Sequence, residues 1–157
     1  MGLREYTVCY PIQNGRVLLG FKKQGFGSGK FAGFGGKLEP GETPPICAGR
    51  ELREECGLHI EPSNGQALAY VGALTFIFPA RPNWDELVHA FVVHAWQGQV
   101  TESNEMRPAW FALDAIPFDQ MWDDNRYWLP QALAGSKLNG RFIFKDDCQT
   151  VHEYRLW

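Results

Sequence analysis

Residues 36–58 read GKLEPGETPPICAGRELREECGL, and the rest of the chain is organised around them. Thr43 suits an N-cap, Pro44 the first helical turn and Gly57 a left-handed C-terminal cap, so the stretch predicts a helix of about three turns. Its dense core is Arg50-Glu51-Leu52-Arg53-Glu54-Glu55. Glu51, Glu54 and Glu55 stand at i, i+3 and i+4, so three carboxylates project from one face. They lie in the C-terminal half, where the helix dipole disfavours negative charge, and like-charge pairs at this spacing cost a few tenths of a kcal/mol each. A divalent cation reverses that penalty. Clustered hard oxygen donors suit Mg²⁺, with Mn²⁺ as the second choice; both keep several waters and bridge to substrate phosphates. For three glutamates taken alone, the competing reading is a solvated acidic face balanced by Arg50 and Arg53.

The surroundings of the glutamates weigh against that blander reading. Gly36, Glu42, Arg50-Glu51-Leu52, Glu54-Glu55 and Gly57-Leu58 together resemble the Nudix box, with every fixed position filled and in the expected strand–loop–helix context.

The whole chain has 157 residues, which predicts one domain over 1–157 with a real core. Hydrophobic residues at 45% and charged residues at 21% describe a soluble globular chain. A net charge of −3 argues against a nucleic-acid groove, which needs a basic patch. Six Trp and eleven Phe suggest either a pocket that stacks a flat ligand or a bulky core. Cys9, Cys47, Cys56 and Cys148 show no CxxC spacing and read as reduced thiols of a cytoplasmic protein, with Cys47 packing the helix. The opening MGLREYTVCYP has no apolar run long enough for a signal peptide or membrane span, and no myristoylation pattern.

Glu5 to Ile12 and Arg16 to Lys22 read as strands joined by an Asn14-Gly15 hairpin turn; Thr7 and Lys22 read either as facing one side of it together or as ordinary solvated polar residues. Lys23 to Gly33 is glycine-rich without being a P-loop, and reads as a flexible lid carrying two exposed aromatics, Phe26 and Phe31. Phe34 to Leu38 predicts a short strand, whose glycines at 35 and 36 allow close backbone approach to a ligand. Leu58 to Ile60 predicts a strand that breaks at Pro62-Ser63-Asn64-Gly65, followed by a long strand over Ala67 to Pro79 and an antiparallel partner over Glu86 to Trp96. His89 and His94, five apart on a strand, face opposite ways and read as structural. An acidic loop spans Gln99 to Met106, and Arg107 to Phe111 leads into a strand. Trp122-Asp123-Asp124-Asn125 with Trp128 reads either as a base-binding edge, in which rings stack and a carboxylate or amide reads a purine, or as the start of an amphipathic helix with core tryptophans. Asn139 to Lys145 and Gln149 to Trp157 predict a terminal hairpin.

Beyond the box, RVLLGFKKQGFGSGKFAGFGGK, TFIF, ESNEMRPAWFALDAIPFDQMW and the YW-P of 127–130 are similar to the MutT-homologue branch of the Nudix hydrolases, the oxidised purine nucleoside triphosphatases. The resemblance implies an α/β/α sandwich around a mixed sheet and a small-molecule nucleotide substrate such as 8-oxo-dGTP. It also implies Mg²⁺-dependent attack of water that yields the monophosphate and pyrophosphate. The chain is expected to act as a monomer, without nucleic acid or membrane as partners. By position it implies Glu51, Glu54, Glu55, the Gly35 carbonyl and Glu105 as metal ligands. Arg50 would orient a box glutamate, and Glu54 or Glu55 would act on the water. For the substrate it implies Thr7, Lys22, Phe26, Ala32, Phe34, Gly36, Lys37, Phe76, Phe78, Trp122, Asp123, Asp124, Asn125 and Trp128. Two places depart from the family's pattern. Ala32 replaces an asparagine that contacts the base. Trp122-Asp123-Asp124-Asn125 replaces Trp-Pro-Asp-Asp, so the paired aspartates map to Asp124 and Asn125 without a gap, or to Asp123 and Asp124 with a one-residue slip. Loss of the asparagine removes a hydrogen bond worth about 0.5–1.5 kcal/mol, about three- to tenfold in discrimination, and predicts a shifted preference among modified purines. The alternatives are a Nudix hydrolase of another nucleoside diphosphate derivative, such as a dinucleoside polyphosphate or nucleotide sugar, and a non-catalytic nucleotide-binding module.

Overall fold

The computed structural model describes residues 2–61 and 64–157. Its strands are β1 (Arg4–Gln13), β2 (Arg16–Lys22), β3 (Phe31–Ala32), β4 (Leu68–Ile77), β5 (Glu86–Val93), β6 (Met106–Ala112), β7 (Gly140–Phe144) and β8 (Val151–Leu156). The helices are α1 (Pro44–Cys56) and α2 (Asn125–Leu133), with 3-10 turns at Pro82–Trp84 and Phe118–Gln120. The strand order is β3-β2-β1-β5-β4-β7-β8, and β6 pairs with β2. The β1/β5 and β4/β7 pairs are parallel and the others antiparallel, so the sheet is mixed.

One helix lies on each face, and strand alternation explains how. Successive side chains of a strand point to opposite faces. Cys9, Leu18, Phe91 and Val93 therefore face α1, where they pack with Ala48, Leu52, Cys56, Phe34 and Met106. Their neighbours Tyr10, Val17, Leu19, Ala90 and Val92 face the other way and pack with Trp128, Leu129 and Ala132 of α2. Strands covered on both faces read as continuous apolar runs, as RVLLGF and ELVHAFVV do. Leu52 is fully enclosed; truncating it to alanine would cost about 2–5 kcal/mol and loosen α1 from the sheet.

α1 begins and ends where its local signals place it. Thr43 is the N-cap in extended conformation, though its side chain makes no capping hydrogen bond, and Pro44 opens the first turn. Gly57 ends it at φ 79°, its N–H donating to the Arg53 carbonyl. Two predicted strands are not formed. Phe34 to Leu38 makes only isolated bridges, Phe34 to Cys9 and Lys37 to Tyr6, although its backbone hydrogen-bonds to Glu5, Thr7 and Cys9 of β1; the short strand lies earlier, at Phe31–Ala32. Leu58 to Ile60 contributes a single bridge, His59 to Gln97, and the break expected at Pro62-Ser63 lies outside the described residues. Phe31 is not an exposed lid aromatic: it packs edge-on against Phe21 and Phe111. All four cysteines are buried free thiols. His89 contacts Tyr70 and Glu5, as a structural residue does. No helix among the described residues is long and apolar enough to cross a membrane.

Candidate active site

The acidic face of α1 is held by one guanidinium. Arg50 grips Glu42 with two parallel hydrogen bonds, Nε to Oε2 at 2.6 Å and Nη2 to Oε1 at 2.9 Å. Its Nη1 bridges Glu51 at 2.9 Å and Glu54 at 3.3 Å, and Nη2 also donates to the Lys37 carbonyl. The paired hydrogen bonds of such a fork are stronger and more directional than single ones. They hold the Glu42 carboxyl down at about 2, with help from the Glu39 N–H. Glu51 is moved the other way: burial raises it, against the pull of Arg50.

Glu55 is the residue that local sequence makes hardest to place, because it is charged yet only 2% exposed. Its Oε1 accepts the Gly35 N–H at 2.7 Å, while Oε2 is buried with no hydrogen-bond partner. Burial pushes its pKa up to about 8; the Gly35 N–H opposes the rise, and the nearby Glu51 and Glu105 charges reinforce it. A buried carboxylate oxygen without a donor is costly, and a cation beside it removes the cost. The glycines make this proximity possible. A Cβ on Gly35 would collide with the Thr7 carbonyl, and one on Gly36 with the Glu51 carboxylate. Among the described residues no three acidic, His or Cys side chains form a closed ligand set; Arg50 stands between Glu51 and Glu54. The orphaned oxygen, the hard oxygen donors and the glycine approach fit a divalent cation on this face.

Beside Gly35 and Gly36 opens a cavity of about 430 Å³, within the range of small-molecule sites. Thr7, Lys22, Phe26, Ala32, Gly36, Phe76, Phe78, Trp122, Asp124, Asn125 and Trp128, expected from the sequence, line it together. Three others do not. Phe34 is fully buried against α1 with Leu52 and Met106, so its ring is core. Lys37 is exposed and meets the site through its backbone carbonyl on Arg50. Asp123 pairs with Arg126 at 2.9 Å and accepts the Val151 N–H. The register without a gap is therefore the one that faces the cavity, with Asp124 and Asn125 inward.

The cavity walls are aromatic and layered. Phe78 stacks on Phe144 at 4.6 Å, and Phe26 of the glycine-rich loop stacks on Trp122 at 5.2 Å while meeting Trp84 edge-on. Lys30 of the same loop stands 5.3 Å over the Trp122 ring. Trp128 is core and also lines the cavity. Its Nε1 donates to Asp124 Oδ2 at 2.8 Å. Burial raises the Asp124 carboxyl to about 7, with the Trp128 hydrogen bond opposing. Asn125 accepts from the Tyr10 hydroxyl at 3.2 Å and donates to the Trp122 carbonyl at 3.0 Å.

Sequence reasoning missed Tyr6, Val8, Tyr10, Trp84, Glu86 and Phe144, all of which line the cavity. Alternation along β1 carries a signal for the first three, which share a face. Trp84, Glu86 and Phe144 carry none: Trp84 sits in the 3-10 turn between β4 and β5, and strand register places the other two.

The sequence profile of the NUDIX domain matches residues 3–132. The chain is 45% identical over 153 residues, 98% of its length and 94% of the relative's, to the oxidized purine nucleoside triphosphate hydrolase of Mus musculus. It is 44% identical over 150 residues, 96% of its length and 92% of the relative's, to the Danio rerio protein of the same name. Its fold is similar to that of the mutator MutT protein from Bacillus halodurans, with a TM-score of 0.80 and 22% identity over 98% of this chain and 97% of that one.

Proposed function

The chain belongs to the Nudix family, and from that premise we propose that it is a nucleotide-pool-sanitising hydrolase. It would convert oxidised or otherwise modified purine nucleoside triphosphates, such as 8-oxo-dGTP, to the monophosphate and pyrophosphate. The observation that carries this reading is the junction of two features at Gly35-Gly36. The carboxylate face of α1 reaches these glycines through Glu51 and Glu55, and the same glycines line an aromatic cavity containing Asp124 and Asn125. A base in that cavity would direct its phosphates toward the acidic face.

Glu51, Glu54 and Glu55, with Glu105 and the Gly35 carbonyl, would hold Mg²⁺ (Mn²⁺ as a substitute). The ion's contribution is to neutralise the phosphate charge and lower the pKa of bound water. The protein's own groups do the rest. Arg50 fixes Glu51 and Glu54 relative to Glu42, so that the carboxylates do not repel each other apart. Lys22, at the cavity wall, meets phosphate charge. Water attacks a phosphorus of the α–β phosphoanhydride, the bridging oxygen leaves with the departing group, and the water's proton passes to a box carboxylate, giving the monophosphate and pyrophosphate. Glu54 is open to solvent and Glu55 is enclosed against the Gly35 N–H; separate glutamine variants assign the proton acceptor between them. The Phe26, Trp122 and Phe78 rings hold the base and exclude water. We read the protein as one domain over 1–157, acting as a cytoplasmic monomer on a small-molecule nucleotide, without nucleic acid or membrane.

The test is pyrophosphate release with Mg²⁺ across dGTP, 8-oxo-dGTP, 2-oxo-dATP, O6-methyl-dGTP and a dinucleoside polyphosphate. Preference for an oxidised purine, abolished by Glu54→Gln or Glu55→Gln, is the expected result. Preference for the dinucleoside polyphosphate would overturn the sanitation role.

A further inference from the structure

The cavity holds a second carboxyl that the hydrolytic chemistry leaves unused. Glu86 opens β5, where the register sets it beside Arg4 of β1 on one side and Phe76 of β4 on the other. The next row along the same face is Tyr6, Val88 and Leu74, and both rows line the cavity. Residues two apart on a strand share a face, so Glu86 belongs to the cavity floor. It is half-buried there, and burial pushes its carboxyl up to about 7 even though Arg4 and Lys22 pull it down.

Three of the polar groups that line the cavity, Asp124, Asn125 and Glu86, differ in what they have left to offer. Asp124 already accepts the Trp128 indole N–H. Asn125 has its carbonyl on Tyr10 and its amide on the Trp122 carbonyl. Glu86 makes no hydrogen bond or ion pair to any described residue. A carboxyl held partly out of water without a protein donor is destabilising. An apolar side chain would fill the same floor position, between Phe76 and Val88, without that penalty. Glu86 also reaches the cavity from the sheet, whereas Asp124 comes from the segment that enters α2. The two are near enough for the charge of Glu86 to raise the Asp124 carboxyl, and a flat base lying between them would present a different edge to each.

We propose that Glu86 is a specificity-determining residue that accepts a hydrogen bond from a base N–H, so that the preferred substrates carry N–H donors on two separate edges, one toward Asp124 and one toward Glu86. This rests on the proposed hydrolysis of purine nucleotides. Guanine carries its donors on one edge only, N1–H and the 2-amino group. An 8-oxo-purine of the guanine type adds N7–H on the opposite edge. The donor that arrives also stabilises the ionised form of Glu86.

The test compares Glu86→Leu and Glu86→Gln with the wild type, by kcat/KM for 8-oxo-dGTP and dGTP. Affinity for the corresponding monophosphates is followed through the intrinsic tryptophan fluorescence, to which Trp84, Trp122 and Trp128 contribute from the cavity wall. The leucine variant is expected to reduce the 8-oxo-dGTP to dGTP ratio about tenfold by lowering the first and sparing the second. Glutamine keeps an acceptor oxygen and is expected to retain part of the ratio. Leucine also removes the unpartnered carboxyl, so its thermal midpoint should be no lower than that of the wild type. Equal loss on both nucleotides, or an unchanged ratio, in both variants overturns the proposal. If the wild type hydrolyses neither nucleotide, the proposed activity fails, while the monophosphate affinity ratio still decides the role of Glu86.

Discussion

Glu55→Gln should stabilise the metal-free protein in alkaline solution and leave its stability almost unchanged in acid. Burial lifts the Glu55 pKa from the ordinary 4.5 to about 8. Below 4.5 the folded and unfolded chains both hold the proton, and the acid and its amide are near-isosteres. Between 4.5 and 8 the unfolded chain releases the proton and the folded chain retains it, so each pH unit removes about 1.4 kcal/mol of stability. By pH 8.5 the accumulated loss is on the order of 4–5 kcal/mol, a large share of a typical domain's stability. Glutamine does not titrate and avoids it. The assay is urea unfolding of both proteins in a chelator at pH 5 and pH 8.5. The expected result is coincident midpoints at pH 5, and at pH 8.5 a variant more stable by several kcal/mol. Adding Mg²⁺ at pH 8.5 should raise the wild-type midpoint more than that of the variant, because a ligand that binds only the folded state adds stability. In the same preparations pyrophosphate release should fall by about 100-fold or more in the variant, the size expected when an ionisable group central to the chemistry is lost. A midpoint difference that is the same at both pH values would refute the reasoning, since Glu55 would then not carry the buried charge.

Gly35→Ala should unfold or severely destabilise the protein, because the new methyl meets the Thr7 carbonyl, a backbone atom that cannot rotate away; thermal midpoints check it against Gly49→Ala, where nothing lies within 4 Å. Arg50→Lys should lower kcat by about tenfold or more, since an ammonium cannot grip Glu42 in parallel while also bridging Glu51 and Glu54; a thermal scan alongside should show a shift of a few degrees only. Ala32→Asn adds a hydrogen-bonding group to the cavity wall and should change the ranking of modified purine triphosphates by about three- to tenfold. An unchanged ranking in a kcat/KM panel would remove Ala32 from the account of specificity.

Which parts of the site were legible in the chain follows from the range of the forces involved. The box helix was legible almost to the residue, because proline at the start, glycine at φ 79° at the end and carboxylates at i, i+3 and i+4 are short-range facts. The hairpin at Asn14-Gly15 was legible for the same reason, whereas the hydrolase family was legible through the match of the whole pattern to the Nudix box. The cavity itself was not. It joins Arg4, Phe76, Glu86 and Asp124, which come together only through strand register and the crossing from β1 to β5. Facing also depends on parity, which is decided by tertiary contacts. Asp123 turns outward to Arg126 while its neighbour Asp124 turns inward to Trp128. Phe34, adjacent in sequence to the Gly35 that lines the cavity, points into the α1 core instead. The sequence alone determined which groups could do the chemistry, because their spacing along one helix sets their common face. Only the tertiary structure decided that Glu55 is buried with an orphaned oxygen, and that Glu86 shares a cavity with Asp124, because burial is a property of what the other strands bring alongside.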